Sequence, residues 1–147
     1  MLRTVFLLHV LATLTMFGAI WIVQIVTYPG FALVGREAWV AFEAAHQQRI
    51  TRVVGPALVL ELATAVWLVA DRPAAFPLWA VVAGAVLVGV VWASTVFVQV
   101  PLHTALSATA DGDAQARLVA TNWIRTATWT LRAGLVLWLA ARAIPTL

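Results

Sequence analysis

The chain has 147 residues, 63% of them hydrophobic and 10% charged, with a formal net charge of +3. Its mean hydropathy of +0.96 excludes an ordinary water-soluble domain and points to a polytopic membrane protein. A small, scattered positive charge gives no nucleic-acid surface. The absence of cysteine removes disulfides, thiolate metal sites and thiol redox chemistry.

The fold class expected is an all-α integral membrane protein. The whole chain, 1–147, forms a single four-helix transmembrane domain, since its length suits one such bundle. The first apolar segment runs from Val5 to Thr27. It follows Arg3 as a signal peptide would, but it continues without a small-residue cleavage site and is read as a retained span. The second runs from Val53 to Ala70, with a helical extension from about Glu37. Asp71, Arg72 and Pro73 mark a tight link to the third, Pro77 to Val100. Ser107 to Ala114 reads as a loop, and Asp113 is expected to cap the fourth span, Ala116 to Arg142. Four spans put both termini on one side, and we read that side as the cytoplasm. Trp67, Trp79 and Trp138 are expected in one interfacial belt, Trp39 and Trp123 in the other.

The two halves resemble each other. Gln24 precedes Pro29 near the end of the first span, and Gln99 precedes Pro101 near the end of the third. His46 and Arg49 before the second span parallel Asn122 and Arg125 opening the fourth. Two hairpins related by a pseudo-two-fold axis along the membrane normal would bring these groups to one interface.

The most informative stretch is the fourth span. Asn122, Arg125, Thr126, Trp129 and Arg132 recur at three- and four-residue steps and share one helix face. A charge at bilayer depth costs at least ~3 kcal/mol, so such residues turn inward and mark a site. Helix rise places Gln24, Tyr28, His46, Arg49, Gln99, His103 and Asn122 near the loop-side interface. Glu61 lies deeper and is an expected ion-pair partner of Arg125, or of Arg132 further in. The expected site is a cavity with a charged floor, walled by Trp21, Phe97, Trp123 and Trp129. His9, near the opposite interface, is read as structural. Neither a phosphate-binding glycine loop nor a nucleophile elbow is present.

Four features together resemble the small four-helix bacterial membrane proteins of the anthrone-oxygenase-like group (DUF1772). They are Gln24–Pro29, His46 and Arg49 before a Pro56/Glu61 span, Val100-Pro-Leu-His103, and the run from Asn122 to Arg132. The resemblance covers nearly the whole chain and implies an oxidoreductase of the bacterial plasma membrane. Its substrate would be a lipophilic, quinone-like aromatic, oxidised with dioxygen. In this reading His103 or His46 takes a proton from the substrate, and Arg125 and Arg49 stabilise the anion. Glu61 completes the catalytic set, and Gln24, Tyr28, Gln99, Asn122, Trp123, Trp129 and Arg132 hold the substrate. No cofactor is required.

Three other functions compete with this one. His46, His103 and Glu61 could hold haem b or a copper, iron or zinc ion. The bundle could bind or transport a lipophile or anion. It could also serve as an assembly subunit or a homo-oligomer. The expected partners are the lipid bilayer and a lipophilic small molecule.

Overall fold

The computed structural model describes residues 1–143, and all regular structure among them is helical. Helix α1 runs Leu2–Leu33, α2 Arg36–Ala70, α3 Leu78–Leu106 and α4 Gly112–Ala143. Each of α1, α2 and α3 is long and apolar enough to cross a membrane. The fourth, α4, carries Arg117, Arg125, Arg132 and Arg142.

The helices close a ring. α1 packs on α2 and α4, and α3 packs on the same two neighbours. Large apolar side chains point away from the ring, among them Leu11, Ile22, Val59, Val86 and Leu131. Such a continuous apolar exterior suits lipid and would be a liability in water.

Every expected span proves longer than its apolar run. Polar residues extend each helix beyond it, because helical hydrogen bonding does not require apolar side chains. Only Val34 and Gly35 separate α1 from α2; there the backbone turns extended and α2 starts. The helix-start prediction at Asp113 needs correcting. Asp111 Oδ1 accepts from the backbone N–H groups of Asp113 and Ala114, so Asp111 is the cap.

The two Gln/Pro segments adopt the same unusual conformation. α1 widens into a π-helical turn over Val23–Thr27, and α3 does so over Thr95–Gln99. A proline ring clashes with the carbonyl four residues back, at Ile25 for Pro29 and at Phe97 for Pro101. Both carbonyls fall inside the wide turns, which relieve the clash without ending the helix.

The core is layered along the bundle axis. One apolar cluster, with Phe6, Leu68, Phe76 and Leu139, lies toward the termini. Another, with Met16, Tyr28, Phe31, Trp39, Leu106 and Trp129, lies toward the opposite end. Between them sits a polar layer built from all the helices. Glu61 Oε1 accepts from Thr13 and from Arg132 Nε, each at 2.8 Å, and Oε2 accepts from Trp129 Nε1 at 3.0 Å. Arg132 also donates to the Gly84 carbonyl and to His9 Nε2.

This layer fixes the state of His9. A guanidinium only donates, so Nε2 accepts and the ring proton lies on Nδ1. Nδ1 then donates to Thr64 Oγ1 at 2.8 Å, and Thr64 passes its own hydrogen to the Leu60 carbonyl. His9 therefore keeps the structural role read from sequence, but not the isolation from the other polar groups.

Candidate functional site

A cavity of about 190 Å³ opens inside the end of the bundle away from the termini. Tyr28, His46, Gln47, Gln99, His103 and Arg125, with three threonines, supply its polar lining; Met16, Ile20, Val23, Ile50 and Val54 supply much of the apolar part.

Each polar group arrives from a feature already described. The wide turn of α1 ends just before Tyr28, and that of α3 carries Gln99 and leads into His103. The polar extension of α2 delivers Glu43, His46 and Gln47, and the inward face of α4 delivers Arg125.

One wall is a hydrogen-bonded chain. Glu43 Oε1 lies 2.6 Å from His103 Nδ1, and His103 Nε2 lies 3.0 Å from the Tyr28 hydroxyl. Gln47 steadies the carboxylate, donating to Glu43 Oε1 at 3.1 Å. With Glu43 ionised, Nδ1 donates to the carboxylate and Nε2 accepts from the phenol. This is the carboxylate–imidazole–hydroxyl order of a proton relay, with a phenol at its end. The His46 ring stacks on that of His103, centroids 5.9 Å apart.

Beside the phenol end of this chain lies a buried cation. Arg125 is only 8% exposed, and no carboxylate lies within ion-pair distance of it among the described residues. Its guanidinium interacts with the Tyr28 phenol and rests over the Trp129 ring at 5.4 Å. Nη1 donates to Asn122 Oδ1, while Asn122 Nδ2 donates to Gln24 Oε1 at 2.9 Å. Gln24 Nε2 in turn donates to the Val119 carbonyl. Nε of Arg125 has no hydrogen-bond partner among the described residues, nor does Gln99 Oε1. Buried donors and acceptors are normally paired; Glu43 Oε2, Trp92 Nε1 and Ser94 Oγ are also unpartnered there, but only Arg125 and Gln99 of this group line the cavity.

The sequence-predicted residues divide. His46, His103, Tyr28, Gln99 and Arg125 do meet around one cavity. Gln24 and Asn122 lie behind it and hold Arg125 rather than line it. Glu61 does not pair with Arg125. Its partner is Arg132, and both belong to the polar layer deeper in the bundle. Trp129 connects that layer to Arg125 and forms no wall.

The remaining walls were misplaced. Phe97 is 77% and Trp123 46% exposed, and Trp21 packs edge-on against Trp123 outside the cavity. Apolar rings toward lipid cost nothing, so hydropathy could not tell wall from exterior. Arg49 is exposed on a shallow outer groove. Trp39 is buried and donates to the Leu106 carbonyl at 2.7 Å, so it belongs to the core and not to a belt.

The ligand set His46, His103 and Glu61 is not assembled. Both oxygens of Glu61 are engaged elsewhere, and both ring nitrogens of His103 have partners. Among the described residues no three His, Asp or Glu side chains converge as a metal group.

The residue missed by sequence reasoning is Glu43, fully buried as the anchor of the relay. Its apolar run starts ten residues later, which placed it at the edge. The signal was there: Glu43-Ala-Ala-His46 has Glu-x-x-His spacing, one helical turn apart.

No family model, curated protein or solved structure matches the chain. The likeness to the anthrone-oxygenase-like group rests on the quoted motifs.

Proposed function

We propose that this protein is a four-span plasma-membrane oxidoreductase, its termini in the cytoplasm, acting on a small lipophilic aromatic that carries an acidic C–H or O–H. The observation that carries this reading is the Glu43–His103–Tyr28 chain with Arg125 beside its phenol at one cavity, no carboxylate among the described residues lying within ion-pair distance of that cation.

The four-span reading draws on the inward placement of Arg125 and Arg132, which leaves α4 an apolar exterior. The chemistry follows from the order of groups. Tyr28 passes its proton to His103 Nε2 and takes one from the substrate, and Glu43 stabilises the resulting imidazolium. Arg125 stabilises the anion left behind, in a site where few water dipoles compete. The electron-rich carbanion then adds dioxygen, and the peroxide loses water. The balance is R₂CH₂ + O₂ → R₂C=O + H₂O, with dioxygen the only oxidant.

Size narrows the substrate. A cavity of about 190 Å³ is below the ~300 Å³ at which drug-sized pockets begin, and favours one or two rings over three. The test is oxygen uptake by the purified chain in detergent, supplied with anthrone and with its two-ring tetralone analogues. Uptake matched by carbonyl formation, and largely abolished in His103→Ala, is expected. Turnover that survives His103→Ala would defeat the relay.

A further inference from the structure

Gln99 and Arg125 are both at least nine-tenths buried, and both line the cavity. Their hydrogen-bonding needs are opposite. Arg125 can only donate, and its Nε lacks an acceptor among the described residues. The Gln99 amide is oriented by its neighbour. Thr121 gives its hydroxyl hydrogen to the Arg117 carbonyl at 2.6 Å, so it can only accept from Gln99, at 3.1 Å. That contact must use the Nε2 side of the amide. Oε1 is thereby left as a buried acceptor with no donor among the described residues.

We propose that the cavity recognises a two-ended ligand, with an anionic oxygen on Arg125 and a hydroxyl donating to Gln99 Oε1. This rests on the cavity being the substrate site and adds the substrate class, a hydroxylated aromatic anion. Gln99 is then the residue that sets specificity. A bound molecule lacking the hydroxyl leaves the amide oxygen buried and unpaired, and an ether offers a second acceptor where a donor is needed. Such a mismatch weakens binding by about tenfold or more. Thr121 acts through Gln99 as a positioning residue, by keeping the amide from turning over.

The test is calorimetric titration of the full chain in detergent with naphthoate, a set of hydroxynaphthoates and the matching methoxynaphthoates. No turnover is needed. At least one hydroxynaphthoate is expected to bind about tenfold tighter than naphthoate and its own methyl ether. Gln99→Met should erase that preference, with naphthoate binding at least as tightly as before, since no amide oxygen is left unpaired. Thr121→Val, at a partly exposed position, should shrink the preference with Gln99 intact. Arg125→Met should weaken the whole series. Equal affinity across the series for the unsubstituted chain, or a preference that survives Gln99→Met, would overturn the role of Gln99 and leave the anion site standing. Failure of every naphthoate to bind would overturn both the inference and the substrate-site reading beneath it.

Discussion

Glu43 and His103, sixty residues apart in sequence, meet at 2.6 Å with the carboxylate fully buried. Neither lies in the apolar stretch of its helix. The contact forms because α2 and α3 both continue as helices beyond their hydrophobic runs, and the extensions pack against one another. Glu43→Gln keeps the size of the side chain and removes its charge. Steady-state turnover of a C–H-acidic substrate should fall by about 10²–10⁴, the usual worth of positioned acid–base catalysis. Binding of naphthoate at Arg125 should change little, so the loss should appear in kcat rather than in affinity.

No carboxylate among the described residues pairs with Arg125, so its replacement should spare the fold. Arg125→Met is expected to weaken naphthoate binding by about tenfold to a hundredfold, as for loss of a charged hydrogen bond. Helix content by circular dichroism should be unchanged. A variant that binds as well as the unsubstituted chain would remove the cation from the site.

Arg132 and Glu61 should behave in the opposite way. Each is 1% exposed, and together they tie the helices at mid-bundle. Arg132→Met or Glu61→Leu alone leaves a buried charge uncompensated, at a cost of about 3–5 kcal/mol. The double variant should recover much of that loss, because the deserted charge is gone. Denaturant unfolding in mixed micelles measures all three, and additive losses would contradict the pairing.

Phe97 and Trp123 offer a negative control. Both project outward, so Phe97→Leu and Trp123→Leu should leave turnover and naphthoate affinity as they are. A loss of affinity would place these rings back on the cavity.

Asp111→Ala tests the start of α4. Two backbone N–H groups lose their acceptor, and stability should drop by about 1 kcal/mol. Asp113→Ala should cost less, since its side chain does not cap the helix.

Much of the site was written in one periodicity. The spacing of Asn122, Arg125, Trp129 and Arg132 gives them a common face whatever surrounds the helix, and apolar surroundings turn that face inward. The Gln/Pro pairs likewise show in the sequence and return as matched wide turns. Tyr28 and His103, each just after such a turn and seventy-five residues apart, meet at 3.0 Å in one wall of the cavity.

Composition and periodicity by themselves determined a helical chain, the approximate place of each helix, and which face of α4 is polar. These follow from local backbone hydrogen bonding and from the cost of exposing charge to an apolar medium. Partner choice was decided only by the tertiary structure. Rotation of each helix about its axis, and the depth at which it meets its neighbours, gave Glu61 to Arg132 rather than to Arg125. The same two variables put Glu43 behind His103, left Arg125 and Gln99 facing an open cavity, and sent Phe97 and Trp123 outward. Rotation and depth are fixed by packing among all the helices at once, and no single segment encodes them.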